Sequence, residues 1–245
     1  MQRINLKFIL DPKFDLSVAY QFYRQPIFGG VDFWQQRAVV LHKDLAELKK
    51  QFYPKQYLND YVGHLYQEYV QDFRKRRREI EKLYQTKEGE FFKIVQKIFY
   101  QTAWPKGQYR AYLSVFDFGS RFLEERSFQV FMYQTDKQIL FNIFHELMHF
   151  MFYYYALKKY PKIFNGKSTE DGIFWNLAEL FNSVMHTTKD FIKLHGRLTD
   201  SVYPDQVKYF PQLKKFWQQT PDLNTWIIES YNILDFPAAS RRELY

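Results

Sequence analysis

The 245-residue chain contains no cysteine, which excludes disulfides and thiolate metal sites and leaves His, Asp and Glu as the side chains able to hold a metal. No N-terminal signal segment is visible, because the apolar stretch from Ile4 stops at Asp11 and is interrupted by Asn5 and Lys7. A cytoplasmic setting is therefore expected. Low-complexity linkers and internal repeats are also lacking. With 46% hydrophobic residues the chain can bury one large core. The expected organisation is a single domain, 1–245, of two lobes, about 1–158 and about 159–245.

The stretch Ile139 to Leu157 is long and apolar enough to raise the question of a membrane span. Asn142, His145, Glu146 and His149 lie near its middle, where ionisable groups are expensive, and no second apolar segment of that length could shield them. A core helix is expected instead, and no span.

That helix runs from Asp136 to Lys158, with Thr135 or Asp136 as N-cap. Apolar residues surround most of its circumference, so it is expected to be buried. At about 100° per residue, Gln138, Asn142, His145, Glu146, His149 and Tyr153 fall in one arc roughly 100° wide. Residues 145–149 read His-Glu-Leu-Met-His. Residues four apart on a helix stand one above the other, so two imidazoles can face one metal ion with Glu146 beside it. This is the active-site string of zinc peptidases. A chance occurrence in such a chain arises roughly one time in a hundred, so context decides. The ordinary explanation is a pair of satisfied core histidines with a salt-bridged Glu, yet a lone buried carboxylate is costly unless paired or near a metal.

Catalytic zinc takes three protein ligands and a water, so a third must come from elsewhere. A second helix is read over Gly172 to Asp190, with Phe174, Leu177, Ala178, Phe181, Val184 and Met185 as its apolar stripe. Asn176, Glu179, Ser183, His186 and Asp190 form the other face. Glu179 is the preferred third ligand, since it lies mid-helix with Trp175 and Leu180 flanking that face. Glu170 and Asp171 compete, although Ser168 three residues before Asp171 resembles a capping box and acidic residues suit a first turn.

The pattern of His-Glu-x-x-His on one helix, followed some thirty residues later by a Glu on a second, resembles the gluzincin branch of the zincin metallopeptidases. That branch usually has an Asp or Asn one turn after the ligand Glu; here Ser183 stands there, preceded by Asn182. The resemblance covers about residues 110–190. It implies a zincin-like fold of α+β class, mainly α, in which a small antiparallel sheet and an active-site helix are followed by a helical C-terminal lobe, with the metal between the lobes. It also implies an edge strand just before the metal helix, to which a peptide substrate pairs. Tyr109 to Phe118 and Ser127 to Tyr133, separated by a Gly-Ser turn and a charged connection, read as two antiparallel strands.

Elsewhere helices are expected over Val31 to Phe52, Tyr57 to Gln85, Glu88 to Ala103, Gln206 to Gln219 and Asp222 to Ile233, with a strand over Ile4 to Leu10. The net charge of +8 and the run Arg74-Lys75-Arg76-Arg77-Arg78 raise a nucleic-acid partner. The run spreads around a helix and meets Glu79 and Glu81, so nucleic acid is not the expected partner.

The expected activity is zinc-dependent hydrolysis of a peptide or protein substrate, a metallopeptidase reaction with Zn2+ on His145, His149 and Glu179. Glu146 acts as general base. His186 is the first candidate to stabilise the oxyanion, with His195, Arg197 and Tyr203 as others. Two other classes stay open: a catalytically inactive zincin-like binding protein and a basic helical nucleic-acid binder.

Overall fold

The computed structural model describes residues 4–196 and 202–235, and Arg197 lies outside the described residues. The fold is mainly helical with a small sheet. In chain order the elements are β1 (Asn5–Ile9), α1 (Pro12–Arg24), β2 (Ile27–Phe28), β3 (Val31–Asp32), α2 (Val39–Leu41), α3 (Pro54–Glu68) and α4 (Val70–Ile98). They continue with β4 (Gln108–Ser114), β5 (Arg121–Phe122), β6 (Ser127–Phe131), α5 (Asp136–Lys159), α6 (Pro161–Phe164), α7 (Gly172–His186), α8 (Lys189–His195), α9 (Phe210–Gln219) and α10 (Leu223–Asp235). Among the described residues no helix is long and apolar enough to cross a membrane. The chain divides into two compact units. Among the described residues, one holds those up to Glu88 with Lys106–Glu146, the other Gly89–Pro105 with those from Leu147 onward.

Beside the two-stranded β2-β3 pair, the first unit has a four-stranded mixed sheet in the order β1-β4-β6-β5. This corrects the antiparallel sheet expected from the sequence. β4 and β6 run parallel, from Arg110 opposite Ser127 to Ser114 opposite Phe131. After β4 the chain steps past β6, returns through β5, which pairs antiparallel with β6, and reverses at Leu123 to Arg126. Arg126 takes φ 50° there, and its N–H donates to the Leu123 carbonyl at 3.2 Å. The chain thus reverses twice between β4 and β6, once across residues 115–120, where Gly119 takes φ 64°, and once at Leu123 to Arg126. All five residues of β6 are buried, as in an interior strand covered on both faces. Its polar members Ser127 and Gln129 imitate the alternation of a half-exposed strand, which is why the sequence misleads. β6 precedes the helix carrying His145 but is an interior strand, so the expected edge position next to that helix is also corrected: β1 and β5 are the edges.

Gln129 is buried for a purpose. Its amide donates to Asp15 Oδ1 at 3.1 Å and to Ser114 Oγ at 2.7 Å. Asp15, 1% exposed, also accepts from the Tyr66 hydroxyl at 2.8 Å and the Val115 N–H at 3.1 Å. One buried carboxylate thus joins α1, α3, the end of β4 and the middle of β6. Desolvation outweighs these hydrogen bonds and pushes its pKa up to about 6.

Helix boundaries differ from the periodicity where tertiary bonds intervene. Val31 to Phe52 is not one helix. It breaks into β3, a π turn Trp34–Ala38, α2 and a 3-10 segment Lys43–Lys50. At the break His42 has φ −124°, and its ring joins the Tyr61 hydroxyl and the Val115 carbonyl, each at 2.8 Å. The expected helices over Tyr57 to Gln85 and Glu88 to Ala103 are redistributed into α3 and α4, divided at Tyr69 and continuous past residue 87. α1 was not expected. Asp11 caps it, accepting from the N–H groups of Lys13 and Phe14, and Pro12 stands at its first position. In the basic run, Arg76 donates to the Met132 and Gln134 carbonyls at 3.0 Å and Arg77 to Phe8 at 3.5 Å. Two of its five cations thus hold backbone within the first unit.

The second unit is aromatic at its centre: Phe181 of α7 lies 4.8 Å from Phe152 and 5.3 Å from Trp226, ring to ring. Burial of such rings is the main source of its stability. The helix read over Gly172 to Asp190 ends at His186, and α8 follows, closed by Gly196 in the left-handed conformation at φ 69°.

Candidate metal centre

α5 starts with a reciprocal cap. Gln138 Oε1 accepts from the Thr135 N–H at 3.1 Å, and the Gln138 N–H points to Thr135 Oγ1 at 3.4 Å, the capping-box arrangement with Thr135 as N-cap. Such a start fixes the rotational phase of the helix. Ile139, Ile143, Phe144, Leu147, Met148 and Phe152 are all buried, so the helix is apolar around most of its girth. Asn142 donates to Gln134 at 2.6 Å. Further along the polar arc come His145, half-buried, then Glu146 and His149, both buried.

The structure brings His145, His149 and Glu179 together. Each offers one donor atom, and no two of these atoms are more than 4.8 Å apart. His149 Nε2 and Glu179 Oε1 are 3.2 Å apart, with the two side chains 0% and 5% exposed. Two donors at about 2.0–2.1 Å from one tetrahedral ion would be about 3.3 Å apart. The His149–Glu179 pair has that spacing, within a group spanning up to 4.8 Å. Two imidazoles and a carboxylate, buried and convergent, are a donor set that can hold a metal ion.

Aromatic rings flank the two histidines. His145 lies against Phe141, with ring centroids 5.9 Å apart, and His149 against Tyr153 at the same distance. Tyr153 in turn donates its hydroxyl to the Thr169 carbonyl at 3.0 Å and meets Phe174 edge-on at 4.8 Å. Glu179 is at the middle of α7, whose whole stretch from Leu177 to His186 is buried. Ser183 and Asn182 are buried on the same helix.

The competitors for the third position lie elsewhere. Glu170 and Asp171 are exposed, and their backbone N–H groups donate to Ser168 Oγ at 3.2 and 3.3 Å. His186 is outside the group of three. Its Nδ1 is 3.2 Å from His195 Nε2, and its ring meets Phe191 edge-on at 5.1 Å. Tyr203 packs its ring on Trp175 at 5.1 Å.

One residue of the site escaped the sequence reading. Arg121 of β5 places Nη1 3.6 Å from Glu146 Oε2, and these side chains are only 7% and 9% exposed. It stands at the start of the charged connection Arg-Phe-Leu-Glu-Glu-Arg, which carries no periodicity and reads as loop. A guanidinium beside a buried carboxylate offsets the cost of burying it.

Comparison with known proteins returned nothing: no family model, curated protein or solved structure matches the chain.

Proposed function

We propose that the chain is a zinc-dependent peptidase of the zincin type, with His145, His149 and Glu179 as the metal ligands. The observation that carries the proposal is the convergence of three donors from two helices beside Glu146, the residue between the two histidines that is not itself a ligand. Nitrogen donors favour zinc over magnesium or calcium, which prefer oxygen throughout. Zinc bound there would polarise a scissile carbonyl and lower the pKa of a water to about 7.

The chain's own residues supply the rest. Glu146 accepts the proton of the attacking water and later delivers it to the leaving amine, so one carboxylate serves as base and then as acid. Its burial next to α5's apolar surroundings keeps bulk water from competing for that proton. His186, steadied by His195, is the group assigned to the negative charge that develops on the carbonyl oxygen. Substrates in this reading are peptides or proteins. Screening a peptide library by mass spectrometry, with and without a chelator, tests it directly.

A second reading has its own observation. The His149–Glu179 contact and the Arg121–Glu146 pair give both buried carboxylates a side-chain partner with no metal at all, as in a zincin-like protein that binds without catalysing. Metal analysis separates the two.

A further inference from the structure

We propose that Arg121 is a positioning residue that orients the Glu146 carboxylate for proton transfer. The proposal rests on the peptidase reading and extends it to a residue outside the His-Glu-x-x-His string.

Glu146 sits on α5 between two ligands of the candidate metal, and its backbone is fixed by the helix. Its carboxylate is not fixed by the helix, because rotation about the last side-chain bond is broad. A general base must present one oxygen at a defined place, within hydrogen-bond reach of the proton it takes. Arg121 supplies a partner for the other oxygen: Nη1 approaches Oε2 at 3.6 Å. The contact is an ion pair rather than a hydrogen bond, and the guanidinium, always charged, draws Oε2 toward β5.

The support behind Arg121 is itself rigid. β5 pairs with interior strand β6, Arg121 opposite Phe128, and Phe128 is completely buried. The Gln129 N–H donates to the Ser120 carbonyl at 2.8 Å, one residue before Arg121. Lying on a strand held by the sheet, the backbone from which the guanidinium extends is fixed. The two-residue strand β5 therefore has a reason to exist: it carries the arginine to the base.

The test compares Arg121→Gln and Arg121→Lys with the parent. In the metal-free protein, infrared difference spectra between each protein and its Glu146→Gln counterpart isolate the Glu146 carboxylate band. That band should be displaced in Arg121→Gln and lie nearer its parental position in Arg121→Lys. In the zinc-loaded protein, Arg121→Gln should lower kcat by roughly 10- to 100-fold with KM little changed. Arg121→Lys should recover part of the loss, and zinc content should be equal in all three. A merely structural role would lower zinc content and melting temperature together with kcat and leave no lysine recovery. An unmoved Glu146 band, or parental kcat in Arg121→Gln, overturns the proposal. If the zinc-loaded parent hydrolyses no peptide, the peptidase reading has failed, and the infrared comparison alone then decides whether Arg121 orients Glu146.

Discussion

Glu179 Oε1 lies 3.2 Å from His149 Nε2, although the two residues are thirty positions apart and belong to different helices. Two ligands one turn apart on one helix cannot enclose an ion. The approach of α7 to α5 at this point is what turns a local string into a candidate metal centre.

The first prediction concerns the third ligand. Glu179→Ala should weaken zinc binding by more than roughly 100-fold, the upper range for groups that only support a ligand. Glu170→Ala and Asp171→Ala should bind as the parent does, since both side chains are exposed. Competition with a chromogenic chelator gives the constants, and loss of zinc from either control with retention in Glu179→Ala would refute the assignment.

For Glu146 the expected result is a separation of binding from turnover. Glu146→Gln keeps the shape and loses the basicity, so zinc should remain while hydrolysis falls by roughly 10²- to 10⁴-fold. Near-parental turnover on a peptide the parent cleaves would remove Glu146 from the mechanism.

The candidate site was legible in the sequence where its logic is helical. A helix imposes a fixed angle per residue, so the arc containing His145, Glu146 and His149 could be drawn without a structure, and the mid-helix place of Glu179 distinguished it from Glu170 and Asp171. Arg121 had no such signal, because a two-residue strand shows no period. α1 did have one, Asp11 followed by Pro12, and it went unread. The direction of β6 was hidden because a buried Gln129 looks like an exposed one until Asp15, 114 positions away, accepts its hydrogen bond. Long-range polar pairing is the part of a fold that local patterns do not encode.

Asp15 leads to a prediction about pH. Its folded pKa of about 6 is above the ordinary 3.8, so the folded state holds the proton more tightly than the unfolded chain. Its contribution is therefore favourable below about pH 4 and is lost as pH rises through 6, a change of about 3 kcal/mol at most. Asp15→Asn removes this slope and keeps the acceptor for Tyr66 and Val115, with Gln129 turning its amide over. Urea unfolding at pH 4.5 and 7.5 should show the variant gaining on the parent at the higher pH. A stability difference independent of pH contradicts the assignment.

His186→Ala should lower turnover by roughly 100-fold with zinc retained, if His186 serves the oxyanion. His195→Ala should lower it less, because His195 acts through its contact with His186. Parental kcat in the His186 variant would leave the pair as packing between α7 and α8.

Elemental analysis of protein purified without a metal-binding tag decides whether zinc is bound through His145, His149 and Glu179. About one zinc per chain should be found, lost in His145→Ala and in His149→Ala. Protein that contains no zinc and takes up none when zinc is supplied, or full zinc occupancy in both histidine variants, would contradict that assignment.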